Sequence, residues 1–124
     1  MLGAGYVGLV SGACFAEFGV EVCLVDTDAA KVAGLREGRI PIYEPGLDRL
    51  VGDNAREGRL RFTTDLAEAM AGADAVFLAV GTPSRRGDGH ADLTYVFTAA
   101  EQVARAAAGP LVLVMKSTVP VGTG

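Results

Sequence analysis

The stretch that decides the fold is "MLGAGYVGLV", residues 1–10. Gly3, Gly5 and Gly8 follow the spacing G-x-G-x-x-G, which belongs to a turn between a buried strand and a helix. On its own the pattern is weak, and a glycine-rich turn without a ligand is the plain alternative. Its context strengthens it. Residues 6–18, "YVGLVSGACFAEF", are nearly all small or apolar and read as a buried helix that Gly19 ends. Residues 21–26, "EVCLVD", read as a strand ending in an acid, Asp26. Asp26 falls 18 residues after Gly8, near the spacing of about 20 that places a carboxylate on a ribose. In that arrangement Gly3 makes the turn, Gly5 lets a diphosphate approach, and Gly8 lets the helix pack closely. The helix N-terminus offers free N–H groups and a positive dipole end. Asp26 would accept from ribose hydroxyls and repel a 2′-phosphate, which favours NAD over NADP.

Only Met1 and Leu2 precede the turn. In a doubly wound sheet the first strand is central, and two residues are too few to fill that place. Three lost aliphatic side chains, at about 1.5–3 kcal/mol each, rival a domain's whole margin of about 5–15 kcal/mol. The expectation is an apolar run ahead of Met1 in the natural protein.

Further along, short apolar runs alternate with helical stretches, as in a parallel α/β sheet. Asp28 caps a helix to Glu37, with Gly38 as its stop. After a connector, "RIPIYE", Pro45 opens a helix with Leu47, Leu50 and Val51 on one face, and Gly58 ends it. "LRFT" (60–63) is a strand. Asp65 and Glu68 suggest a capping box for a helix stopping at Gly72. "DAVFLAV" (74–80) and "PLVLVMK" (110–116) read as buried strands. Between them lie a charged, glycine-rich loop and a helix from Leu93 to Ala108, with Val96, Phe97, Ala100, Val103, Ala104 and Ala107 at helical spacing. The fold class expected is α/β: a Rossmann-like doubly wound parallel sheet whose first strand is cut to about two residues.

The 124 residues fit one domain, are half hydrophobic, and include 17 glycines. The net charge of −4 and the lack of any basic cluster beyond Arg85-Arg86 argue against nucleic acid or an anionic membrane as partner. No apolar run reaches the 18 or so residues of a membrane span. With two cysteines and no secretory leader, a cytoplasmic setting is the default. Cys14 and Cys23 read as inert core thiols, and His90 as a solvated loop residue.

The segments "GAGYVGLVSGACFAEFG", "VDTDAAKV", "RIPIYEPGL", "VGTPS", "ADLTYV" and "KSTVPVGT" together resemble the N-terminal NAD-binding domain of the UDP-glucose/GDP-mannose dehydrogenase family, with the UDP-glucose branch nearest. The resemblance spans residues 1–124 and about the first third of such an enzyme. It implies oxidation of the 6-hydroxyl of a small-molecule nucleotide sugar to a carboxylate with two NAD+, through a thiohemiacetal and a thioester on a cysteine. It places the NAD diphosphate on Gly3, Ala4, Gly5, Tyr6, Val7 and Gly8. It places the adenosine ribose on Asp26 and Lys31, and further NAD contacts on Val80, Gly81, Thr82, Pro83, Ser117 and Thr118. Thr118 also borders the reacting centre and helps order a catalytic water. The nucleophilic cysteine belongs to a second domain, which with the central helix lies outside these residues. The expectation is therefore a chain that binds NAD and does not turn over alone, part of a homo-oligomeric enzyme. The alternatives are a GDP-mannose enzyme, another NAD-dependent dehydrogenase such as a hydroxyacid or 6-phosphogluconate relative, and a stand-alone nucleotide-binding module.

Overall fold

Two parallel strand pairs meet at a single residue. In the computed structural model, which describes residues 1–85, 87 and 89–124, β1 (Val22–Val25) pairs with β2 (Leu60–Thr63), and β3 (Ala75–Leu78) with β4 (Val112–Met115). Leu2 bridges Val25 on one side and Leu78 on the other, both in parallel. The spatial order is therefore β2-β1-Leu2-β3-β4, the order of one wing and the start of the other in a doubly wound sheet. The central position expected to be short is held by one bridging residue. Its main-chain groups are fully used: Leu2 N–H donates to Phe77 O at 2.8 Å, and Leu2 O accepts from Ala79 N–H at 2.7 Å.

Among the described residues five helices cover the sheet: α1 (Tyr6–Glu17), α2 (Ala29–Arg36), α3 (Leu47–Arg56), α4 (Leu66–Met70) and α5 (Thr94–Ala106). Strand alternation splits the core in two. Val22 and Leu24 face a cluster with Leu9, Val32, Leu35, Val51 and Leu60. Val25 faces the other way, with Leu2, Val76, Leu78, Ala99 and Val103. A polar clasp closes the first side. Buried Asn54 donates to Glu17 Oε2 at 2.8 Å and to Leu50 O, and its Oδ1 accepts from Arg59 Nε at 3.0 Å.

Helix ends follow the glycines. Gly19, Gly38, Gly58 and Gly72 all have positive φ, the left-handed conformation that ends a helix without a Cβ clash. Asp28 caps α2 by accepting from Lys31 N–H.

Several expectations need correction. The α3 helix begins at Leu47 rather than Pro45, because Gly46 at φ 82° takes the capping place in a left-handed turn. Asp65 does cap α4, accepting from Ala67 and Glu68 N–H, but Glu68 does not reach back to it. Instead the Glu68 carboxylate accepts from Thr63 Oγ1, and Asp65 N–H donates to that same hydroxyl. The first helix is not buried all round: Gly8, Leu9, Gly12, Ala13 and Ala16 face inward, while Cys14 is exposed. Cys14 is thus a surface thiol, not a core one; Cys23 is half-buried. On α5 the buried stripe is Val96, Ala99 and Val103, and Phe97 and Ala104 face out. Strand β4 is not a buried strand, since Val112 is 60 % exposed and Leu113 45 %. Among the described residues it pairs with β3 alone, which leaves its other edge and much of its faces open. Arg86 of the basic pair lies outside the described residues. Among the described residues no helix is long and apolar enough to cross a membrane.

Candidate dinucleotide site

The glycine turn stands at the C-terminal ends of the strands, where open parallel sheets bind ligands. Each glycine meets a different constraint. Gly3 has φ 101°, and a Cβ there would come within 2.4 Å of Ala79 O. At Gly8 a Cβ would lie 1.8 Å from Gly3 O, so the helix seats against the turn. At Gly5 a Cβ would meet nothing within 4 Å. Gly5 is the N-cap of α1, with no side chain capping the helix and no acid in its first turn. The first N–H groups of a helix have no partner inside it. Here they open onto clear space at Gly5, with Tyr6 and Val7 exposed beside it. The arrangement fits an anionic diphosphate.

Asp26 is tied directly to this turn. Its Oδ2 accepts from Ala4 N–H at 2.9 Å and from Lys31 Nζ at 3.0 Å, and its Oδ1 accepts from Asp28 N–H at 3.0 Å. Partial burial pushes the carboxyl upward, but the Asp28 and Ala4 amides and Lys31 outweigh it, so Asp26 titrates below the ordinary aspartate range. A carboxylate has about four acceptor sites. Three hydrogen bonds leave about one, on Oδ1, for a ribose hydroxyl. Lys31, the third residue of the helix that Asp28 caps, is placed by that cap. Ala4 itself is buried, and its amide donates to Asp26.

The second lip of the mouth comes from the loops after β3 and β4. Val80 and Thr82 are half-buried, Gly81 and Pro83 exposed. The single hydroxyl proton of Ser117 is directed at Val80 O, 2.8 Å away, with Leu78 O at 3.2 Å, while the Ser117 N–H donates to Leu78 O at 2.9 Å. Ser117 joins the two loops rather than facing outward. Thr118, the next residue, is exposed. His90 is exposed, and its carbonyl accepts from Arg85 N–H.

One neighbour of the site carries no signal in the sequence. The Tyr6 hydroxyl donates to Glu44 Oε2 at 3.0 Å, which brings the 39–46 connector beside the first residue of α1. That hydrogen bond, and the Glu44 charge behind it, raise the Tyr6 pKa. The two residues are 38 apart in the chain, and no periodicity links them.

The strand order, the glycine turn and the acid at the tip of β1 define a dinucleotide-binding domain of the doubly wound parallel class. Comparison with known proteins narrows this. The model of the UDP-glucose/GDP-mannose dehydrogenase family, NAD binding domain, matches residues 1–124, and the chain belongs to that family. The UDP-glucose 6-dehydrogenase of Rhizobium meliloti is 63 % identical over 124 residues, covering 100 % of this chain and 28 % of that protein. Its counterpart in Pseudomonas aeruginosa is 52 % identical over 123 residues, covering 99 % and 27 %. Among solved structures, a UDP-glucose dehydrogenase from Pyrobaculum islandicum superposes with TM-score 0.92 at 48 % identity, over 98 % of this chain and 29 % of that one. A ternary complex of GDP-mannose dehydrogenase from Pseudomonas aeruginosa superposes with TM-score 0.93 at 38 % identity, over 98 % and 28 %. The chain thus spans little more than a quarter of the length of these relatives.

Proposed function

We propose that this chain is the NAD-binding part of a cytoplasmic nucleotide-sugar 6-dehydrogenase that oxidises UDP-glucose to UDP-glucuronate. One observation carries the reading: the Ala4 amide in the glycine turn and the Asp26 carboxylate share a hydrogen bond of 2.9 Å. That bond makes the diphosphate mouth and the ribose acid one site. UDP-glucose is favoured as the sugar nucleotide because the relatives bearing that name reach 63 % identity, against 38 % for the GDP-mannose enzyme.

When bound, NAD+ supplies the acceptor for a hydride leaving the sugar C6. The chain's own residues hold and orient. The α1 amides beyond Gly5 receive the diphosphate, and Asp26, braced by Lys31 and Asp28, receives the adenosine ribose. Val80, Gly81, Thr82 and Pro83 form the opposite lip. Thr118, exposed at the end of β4, takes the place nearest the reacting centre and positions water. The two cysteines are not assigned as nucleophile: Cys14 sits on α1 and Cys23 in β1, neither in the loops that form that lip.

The test is a titration of this chain with NAD+, followed by calorimetry. Saturable binding is expected, weakened about 10- to 100-fold in Asp26→Ala, the range for losing a hydrogen bond to a charged group. Equal affinity in both chains would remove Asp26 from the site. The 124-residue chain alone is expected to show no turnover of UDP-glucose.

A further inference from the structure

Tyr6 is the first residue of α1, and its N–H is one of those without a partner inside the helix. An aromatic side chain on a helix leans back toward the N-terminus, over the turn before its own Cα. At the first position that direction leads over the mouth itself. Yet the space at Gly5 is clear, with nothing within 4 Å of where a Cβ would stand. The Tyr6 ring is 54 % exposed and is held at its tip, where the hydroxyl donates to Glu44 Oε2 at 3.0 Å.

The other end of that tie is fixed by its own backbone. Residues 44–47 form a turn closed by Leu47 N–H, which donates to Glu44 O at 3.0 Å. Pro45 in its second place and Gly46, at φ 82°, in its third are what a type II turn favours. On one side of the turn Ile42 packs against the cluster around Leu9 and Leu24, and on the other Leu47 is buried in it. Glu44 itself is half-buried. A segment seated on both sides does not follow a moving ring. A carboxylate is also a strong acceptor for a phenol.

Charge alone would disfavour an acid in this place. Glu44 stands beside the first residue of a helix whose open end suits an anionic diphosphate, and like charges repel. The tie to Tyr6 is the compensation that the structure shows. We propose that Glu44 is a positioning residue for the dinucleotide: it holds the Tyr6 ring aside by its hydroxyl and so keeps the α1 amides open to the diphosphate. The proposal rests on the NAD-binding role given above.

The test is the NAD+ titration of this chain in four further variants. Glu44→Ala and Tyr6→Phe each untie the ring and are expected to weaken binding about three- to tenfold, the range for one net hydrogen bond. The double variant is expected to bind no worse than either single one, because both changes remove the same tie. Glu44→Gln keeps an acceptor for the phenol without the charge and is expected to bind at least as well as the natural chain. If Glu44 acts by charge alone, Glu44→Ala and Glu44→Gln both tighten binding, and the proposal is overturned. It is also overturned if Glu44→Gln fails to rescue, or if the losses add in the double variant. The chain has three tyrosines and no tryptophan, so phenol absorbance with the Tyr6→Phe chain subtracted reports Tyr6. The Glu44 bond and charge raise the Tyr6 pKa, and in Glu44→Ala the phenol is expected to ionise at lower pH. An unchanged ionisation removes the bond on which the proposal stands. Asp26→Ala separates the two failures. If it weakens binding and Glu44→Ala does not, the role of Glu44 falls alone; if neither does, the NAD-binding role falls with it.

Discussion

Leu24 in β1 is 1 % exposed and Val112 in β4 is 60 % exposed, although each lies in a four-residue parallel strand paired in regular register. Around Leu24, helices α1, α2 and α3 complete a core, with the Asn54 clasp at its edge. Around Val112 the neighbour is β3, and most of its side chain stands in solvent. Pairing satisfies main-chain groups, but burial comes from what covers the faces. The β1–β2 half is closed in itself; the β3–β4 half depends on Leu2 and α5 and keeps an open side.

The largest effect expected lies at the joint between the halves. Gly8→Ala places a Cβ 1.8 Å from Gly3 O, and neither backbone can yield cheaply. A loss of about 4 kcal/mol, or failure to fold, is expected in urea unfolding. Next come the cores. Leu24→Ala and Leu78→Ala, both almost fully buried, should each cost about 2–5 kcal/mol. If Leu78→Ala costs no more than a surface change, the second half is not a packed unit. Asn54→Ala strips partners from Glu17 and Arg59 and should cost about 1–3 kcal/mol.

A smaller effect is set by pH. The folded pKa of Asp26 is depressed, so its contribution to stability is complete above the unfolded aspartate value of about 3.9 and fades as pH falls through the lower folded value. The gap in stability between the natural chain and Asp26→Asn should therefore narrow below about pH 4; a constant gap would break the assignment. Smallest of all is Val112→Ala, expected within about 0.5 kcal/mol in the same urea assay, since surface changes seldom do more.

Much of the fold was legible from local chemistry. The glycines that end helices are fixed by φ, and the residues of β1 and β2 stand close to where the apolar runs put them. The misreadings have specific causes. In α1 nearly every residue is small or apolar, so the sequence shows no stripe and cannot tell buried Ala13 from exposed Cys14. The Asp65 capping box fails because Thr63 competes for Glu68, a choice between two hydroxyl- and amide-bearing neighbours that spacing does not resolve. Strand β4 has a core-like sequence, yet its burial depends on neighbours, and the edge has few. At the site, the glycine turn and Asp26 announce themselves by spacing. The Ala4–Asp26 and Tyr6–Glu44 bonds do not, because they join segments that only the fold brings together.

The Ser117 hydroxyl, set between the carbonyls of Leu78 and Val80, ties the start of the loop after β4 to the end of β3 and the loop beyond it. Neither loop can shift far from the other without breaking that contact, so the far lip of the rim holds its shape as one piece.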